Sequence, residues 1–565
     1  MNPLRQLSEA LSEFIVSRFA RFSTRKLFIL LAALFQLTRL FSQGLTQDQE
    51  AQIDQLFSWV NNESPGCVCT ISRNGSIIFN RAYGLADLEQ KIALNPASVF
   101  DAGSLVKQFV AATVLLLVEE GKLSLNDNIR KYIPEMAEYA NQITIDHLLT
   151  HTSGVRDWVG LRRFSKADED ALSMVLRQNS TNFDPGTEWS YSNSGYVLLK
   201  EIVSRISGMT FGEFAQARLF NPLGMKNSTY SHEEAPNAPG LVLAYENRRG
   251  NWQKSMLKAN ERGGGGALLS TAGDLLIWNE ALDQQKLGRN VTQKLQEPAK
   301  LKNGRVLSYA RGLFITHDKL GRLVWHSGSA EGYKSLLNHW TDHGLSIAMM
   351  CNAGAAARRS AIAAKISRML LANQVKLVEK STPSRPTEPK NLDQRAGLYF
   401  NESGEQSLSL VHAKGQLRIA GGPVLEAIDQ EKFRNPEGAL SFMSSDEFEI
   451  HFRSDDAFEL KSMEGEISRY SKAKAMEYDS KGLKGFTGRF TSDELNTAFQ
   501  ITANEAGLMV QLESSGPRKF PFKNVNPDTF QMSRMFIRFL RNNKGEVTGL
   551  DYRNPGMSRV RFVKE

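Results

Sequence analysis

Cysteine is scarce in this sequence. Cys67, Cys69 and Cys351 are the only three in 565 residues, and three thiols cannot supply the disulfide framework of a small exported domain. Cys67 and Cys69 point the same way from one predicted strand, and Cys351 ends the apolar strand "LSIAMMC", so all three are expected to be buried as packing residues. Long apolar runs are missing as well. "LFILLAALFQL", directly after Arg25 and Lys26, has about eleven residues, against the roughly 20 that a helix needs to cross a bilayer. It reads as the core of a signal peptide over residues 1–44, cleaved after Gly44. The mature protein is then expected in the periplasm or outside the cell, with no stable membrane span after cleavage; an uncleaved membrane anchor is the alternative.

Clusters of basic residues are lacking too. The net charge is +8, but residues 1–43 hold six Lys or Arg against Glu9 and Glu13, so +4 of that excess belongs to the leader. No Lys/Arg-dense stripe with interleaved aromatics appears in the remainder, which argues against nucleic acid as a partner. No cluster stands at metal-ligand spacing, and Gly263–Gly266 lacks the strand and helix that flank a phosphate-binding loop, so neither a metal nor a cofactor is expected. What remains, 41% hydrophobic and 23% charged residues, is ordinary for globular protein.

At about 150 residues per core, the length asks for several domains. From Leu45 to Lys380, helical patterns such as "SGYVLLKEIVSRISG" and "RRSAIAAKISRMLLANQVK" alternate with short strands, and Asn74-Gly75 marks a hairpin in "CVCTISRNGSIIFNRAYG". That mixture predicts an α+β domain over 45–380. "KSTPSRPTEPK" (Lys380–Lys390) spaces its prolines three apart, the composition of an extended linker. Beyond it helical periodicity gives way to strand alternation that is duplicated: "RAGLYF" matches "FTGRFT", "KFRNP" matches "TFQMS" and "FEIHF" matches "MFIRF", each roughly ninety residues on. Two small β-barrels, 391–473 and 483–565, follow from this, since closure removes exposed edges; one irregular sandwich is the alternative.

The stretch "FDAGSLVKQFVAATVLLLVEEGKL" (Phe100–Leu123) sets Ser104 and Lys107 one helical turn apart, ahead of an apolar run that reads as a buried helix. At i and i+3 the two side chains share a face. Burial disfavours an ammonium, and a neutral amine beside a hydroxyl makes an activated nucleophile. On a solvated helix the same pair would be a cap and a rim residue. S-x-x-K also occurs at Ser23/Lys26, Ser255/Lys258 and Ser471/Lys474, so the surroundings must decide.

Those surroundings include "LLTHTSGV" (Leu148–Val155), "PGTEWSYSNSGYVLL" (Pro185–Leu199), "GGGGALLSTAGDLLIW" (Gly263–Trp278) and "VWHSGSAEGYKS" (Val324–Ser335), in that order. Together with Ser104 and Lys107 they resemble the serine β-lactamase and penicillin-binding-protein family, in its class C and D-aminopeptidase-like branch, over about Leu45 to Lys376. The resemblance implies an antiparallel sheet flanked by helices plus an all-helical region. It implies that Ser104 is acylated by the substrate, with Lys107 and Tyr191 as the groups able to take its proton. Which of them does so is left open: a phenol near pKa 10 needs a charged lysine beside it, and the lysine must be neutral to act. Asn193 is expected to orient a substrate amide or the lysine, and the backbone N–H groups of Ser104 and Ser329 to form the oxyanion hole. His326-Ser327-Gly328 stands where the better-known family motif is Lys-Thr-Gly; a histidine is mostly neutral at pH 7, so carboxylate anchoring should weaken. His151 is expected to hold its loop.

The function these readings imply is an exported serine hydrolase working through an acyl-enzyme on amides or esters, D-aminopeptidase-like before esterase, weak β-lactamase or D,D-peptidase. Its partner would be a small-molecule or short-peptide substrate, peptidoglycan-derived ones included. The two terminal repeats resemble lipocalin-like barrels and the three-domain layout of D-aminopeptidase. A non-catalytic protein that binds cell-wall fragments is the reading of another class.

Overall fold

The computed structural model describes residues 44–165, 169–231, 240–255, 266–372, 389–401, 407–420, 424–435, 448–462, 467–505, 507–554 and 556–565. The signal-peptide run and nearly all of the proline-spaced segment lie outside these residues. Ahead of residue 56 the described chain is one helix, Gln47–Leu56, opened by reciprocal hydrogen bonds between Thr46 and Gln49. None of the described helices is long and apolar enough to cross a membrane.

The remainder is built on a six-stranded antiparallel sheet. Its strands are β1 (Cys67–Arg73), β2 (Ser76–Tyr83), β3 (Phe314–Asp318), β4 (Gly321–Ala330), β5 (Tyr333–Trp340) and β6 (Leu345–Cys351), in the order β3-β4-β5-β6-β1-β2. The Asn74-Gly75 hairpin forms as its sequence dictates, with both residues at positive φ (49° and 77°), the backbone that matches the twist of paired strands. Four main helices follow: α1 (Val106–Glu119), α2 (Asn193–Ser207), α3 (Ala272–Asp283) and α4 (Arg359–Leu371). α3 packs on β1 and β6, and α4 on β5 and β6, while α1, α2 and short helices gather into a helical region. α1 is buried almost all round, from Lys107 to Leu117, which marks a core helix rather than an amphipathic one.

One cysteine expectation is corrected. Cys67 and Cys351 face each other in the β1–β6 ladder and are joined as a disulfide across 284 residues; only Cys69 remains a free buried thiol. Antiparallel pairing brings directly opposed side chains within reach of each other, and that register is invisible in the linear spacing.

After residue 390 the chain repeats one plan twice: a short helix, then eight strands. Leu392–Arg395 precedes Gly397–Asn401, and Ser480–Lys484 precedes Gly488–Ser492. The matched segments "KFRNP" and "TFQMS" supply equivalent strands, Lys432–Arg434 and Thr529–Met532. The second copy is a closed eight-stranded barrel. The first is an eight-stranded sheet whose end strands, Gln416–Ile419 and Glu426–Ala427, are not paired with each other, although Leu425 N–H donates to Leu417 O nearby (2.9 Å). Glu426–Ala427 has two residues against eight in its counterpart Lys519–Asn526, and a single bridge, Arg418 to Val424, lies at the same edge.

Candidate active site

Ser104 lies in a single 3-10 turn, Gly103–Leu105, that runs straight into α1. Gly103 has φ 55°, and a Cβ there would lie 2.7 Å from Ser329 N, so glycine is what lets this turn press against β4. The strand matches it: a Cβ on Gly328 would come within 2.0 Å of Ala102 O. Ser335 Oγ–H donates to the same carbonyl (2.7 Å). The turn that carries Ser104 and the His326–Ser329 strand are thus held closely against each other.

Lys107, 3% exposed, occupies the first turn of α1. Its Nζ lies 3.3 Å from Ser104 Oγ and donates to Asn193 Oδ1 at 2.9 Å, with the rings of Tyr191 and Tyr196 at 4.8 and 5.5 Å. Burial pushes its pKa down to about 7, opposed by the charge of Asp157. Burial raises the Tyr191 phenol, with Ser104 opposing. That buried hydroxyl turns toward Ser104 without closing a hydrogen bond of ordinary geometry. At neutral pH the phenol therefore keeps its proton while much of Lys107 has lost its own.

Asn193 opens α2, where the Ser192 side chain caps the helix by accepting from Gly195 N–H (3.3 Å). Asp157 accepts from both the backbone N–H and the Nδ2 of Asn193, the latter at 3.1 Å. With its amide nitrogen so engaged, Asn193 presents Oδ1 to Lys107. Asp157 is itself buried, and its carboxyl is raised by desolvation while the hydrogen bonds from Asn193 and Val159 and the charge of Lys107 act against the rise.

On the opposite side, a directed chain of hydrogen bonds sets the state of His326. Ser192 N–H donates to His151 Nδ1 (3.1 Å), so His151 carries its proton on Nε2, which faces Tyr309 Oη at 3.1 Å. His326 Nδ1 lies 2.7 Å from Ser327 O, an acceptor only, so that nitrogen carries the proton. Nε2 is left to accept from the Tyr309 hydroxyl at 3.4 Å. Both imidazoles are neutral in this arrangement. Burial pushes His326 down to about 3, helped by the nearby charge of Lys107, and holds His151 well below its ordinary value.

The structure brings Ser104, Lys107, Tyr191 and Asn193 together, with His326, Gly328 and Ser329 on the adjoining strand. Two participants escaped sequence reasoning. Asp157 sits in "VRDWVG" and Tyr309 in "SYARG"; the only signal was a carboxylate in an apolar segment, which names no partner. Among the described residues, no group of three or more His, Cys, Asp or Glu could hold a metal ion.

Comparison with known proteins fits this geometry. Penicillin-binding protein 4* of Bacillus subtilis is 27% identical over 66% of this chain and 87% of its own. The D-aminopeptidase of Brucella anthropi is 24% identical over 87% of this chain and 93% of its own, so its likeness extends into the C-terminal repeats. Among solved structures, the octameric penicillin-binding protein homologue from Pyrococcus abyssi superposes with a TM-score of 0.52 at 20% identity, over 75% of this chain and 99% of that one, a likeness of fold. The family model described as "Beta-lactamase" matches residues 37–368, more than half of the chain. The protein belongs to the β-lactamase family and is a serine hydrolase.

Proposed function

We propose that the protein is an exported amide hydrolase of D-aminopeptidase-like specificity, acting through an acyl-enzyme on Ser104. The observation that carries this reading is the state of His326: buried, wired to Tyr309 and Ser327 O, and neutral. A neutral group in the third motif gives a substrate carboxylate no fixed charge to pair with, so substrates without a free α-carboxylate are preferred. The likeness to D-aminopeptidase along most of both chains supports the same assignment.

In this mechanism Ser104 Oγ bonds to the carbonyl carbon while its proton passes to the neutral Lys107 amine. The N–H groups of Ser104 and Ser329 stabilise the oxyanion. The C–N bond then breaks as the leaving amine takes the Tyr191 proton, and the Lys107 ammonium restores the phenol. Water next gives a proton to Lys107 and adds to the acyl carbon; as the acyl C–Oγ bond breaks, Lys107 returns that proton to Ser104 Oγ, which releases the acid and restores the neutral amine. Export is supported by the short apolar run after Arg25-Lys26 and by the Cys67–Cys351 disulfide, a bond that persists in oxidising compartments. We place the domain limits at 45–380, 391–473 and 483–565, so that limited proteolysis should cut first between Lys380 and Lys390.

A second reading, hydrolysis of a carboxylate-bearing β-lactam or peptide, is favoured by Arg359. Its Nη2 lies 3.4 Å from Ser329 Oγ and its Nε donates to Ser335 O at 2.7 Å. A panel of D-amino-acid amides, short acyl esters and a chromogenic cephalosporin separates the two. Turnover of the D-amides is expected, and turnover of the cephalosporin alone would overturn the first reading. A fluorophosphonate should add once to the wild type and not to Ser104→Ala; equal uptake by that variant would remove Ser104 from its role.

A further inference from the structure

Arg156 and Asp157 are consecutive in the segment Ser153–Leu161, just ahead of the short helix Trp158–Leu161, and their side chains go to different places. Asp157 holds Asn193, and through it Lys107. Arg156, 1% exposed, reaches the turn between the first two strands of the closed barrel, where it forms an ion pair with Glu494, 9% exposed. Arg156 also donates to Ser180 Oγ (2.8 Å), and Glu494 accepts from Asn179 N–H (3.1 Å). A second barrel turn meets the same segment. Asp157 N–H donates to Gly556 O (2.8 Å), Asn554 Nδ2 to Gly160 O (3.1 Å), and Ser558 N–H to Asn182 Oδ1 (2.8 Å). The approach is close: a Cβ on Gly556 would lie 3.0 Å from Gly160 N and 3.1 Å from Asp157 Cβ.

We propose that the C-terminal barrel is a positioning element of the active site: Glu494 together with Asn554, Gly556 and Ser558 holds the segment that sets Asp157 on Asn193, and thereby places Lys107 against Ser104. The physical basis is that the backbone around Asp157 is extended, so neighbouring side chains leave it on different sides. Anchoring Arg156 in the barrel fixes the direction in which the Asp157 carboxylate points. A buried charge pair is suited to this, because neither partner can relocate without leaving a charge unpaired in low dielectric. In this arrangement the barrel acts on the reaction without touching substrate, through residues that lie between it and the lysine. The inference rests on the proposed role of Ser104 and Lys107.

The test is the rate at which the full-length protein takes up a fluorophosphonate at Ser104, followed against pH. Glu494→Ala is expected to slow capture on the order of 10–100-fold, the scale of a misplacement near 1 Å, and Glu494→Gln, which keeps an oxygen for Arg156, to recover most of it. The pH midpoint is the readout that bare structural damage would not move. Lys107 is faced by Asp157, the phenols of Tyr191 and Tyr196, the imidazoles of His151 and His326, and Lys200. Of these, only Asp157 sets a negative charge against the ammonium, so its displacement should move the midpoint to lower pH. Gly556→Val pushes the barrel turn off Asp157 without leaving a buried charge, and should act in the same direction if Glu494→Ala does not fold. Capture by folded Glu494→Ala or Gly556→Val at the wild-type rate and midpoint would overturn the inference. Failure of the wild type itself to label at Ser104 would instead overturn the reading of the site.

Discussion

Lys107 and His326 stand on two sides of Ser104 at the same depth, 3% and 2% exposed, and burial lowers them by a similar step. The lysine falls from 10.5 to about 7 and the histidine from 6.5 to about 3. The same desolvation therefore yields opposite outcomes. A lysine so treated becomes a base that titrates at neutral pH, whereas a histidine becomes a group that never charges there. Their partners deepen the contrast, since Lys107 has the Asp157 carboxylate behind Asn193 and His326 has a phenol and a carbonyl. A family that exchanges lysine for histidine in its third motif thus removes a charge, even though both side chains are called basic.

The largest effect expected from breaking this contrast is on the helix side. Lys107→Met should slow fluorophosphonate capture by roughly 10²–10⁴-fold, the range for loss of a general base. Tyr191→Phe should slow fluorophosphonate capture far less, since its phenol keeps its proton. The reverse order, measured on the same substrate, would make Tyr191 the base.

Next in size is the pH dependence. In the proposed mechanism Lys107 acts as its free amine, so kcat/KM should rise with pH through about 7 and His326→Asn should leave that limb in place. Asp157→Asn removes the charge that stabilises the ammonium; the amine then loses its proton more readily, and the limb should move to lower pH with a loss of roughly tenfold from the misaligned Asn193. A midpoint that rises in this variant would show that Asp157 does not act on Lys107.

On the strand side, His326→Lys offers an ammonium that a substrate carboxylate would hold in its charged form, which the buried histidine does not. A charge-assisted hydrogen bond is worth about 1–3 kcal/mol. The kcat/KM ratio of a carboxylate-bearing substrate to its amide analogue should rise accordingly, and taking the ratio cancels general damage. An unchanged ratio would shift weight to Arg359 as the carboxylate partner. The smallest effect on the reaction should come from Tyr309→Phe. It strips His151 and His326 of their shared hydroxyl and should reduce stability by about 1–3 kcal/mol in denaturant unfolding, with the same neutral-pH limb in kcat/KM. A new limb near pH 6 would mean that Tyr309 is what keeps His326 uncharged.

Much of the fold was legible because its signals are local. The hairpin at Asn74-Gly75 needs only two residues with positive φ, and α1 announces itself by continuous apolar residues behind Lys107. The duplicated strands were legible through short matched segments, but closure was not. It depends on strand length and pairing at the seam, where Glu426–Ala427 falls short and Lys519–Asn526 does not. Of the site, the members carried by family motifs could be named in advance, whereas Asp157, Tyr309 and Glu494 could not.

By itself the sequence determined which candidate side chains share a local element, because a helix turn sets Ser104 and Lys107 on one face whatever the rest of the chain does. Only the tertiary structure decided their states. The Cys67–Cys351 pairing spans 284 residues, Asp157 reaches Lys107 through a residue 36 positions away, and Glu494 meets Arg156 across 338. Desolvation and hydrogen bonding act between neighbours in space. At these separations the linear chain holds no record of who those neighbours are, and so the lowered pKa of Lys107 and the neutral state of His326 came from packing alone.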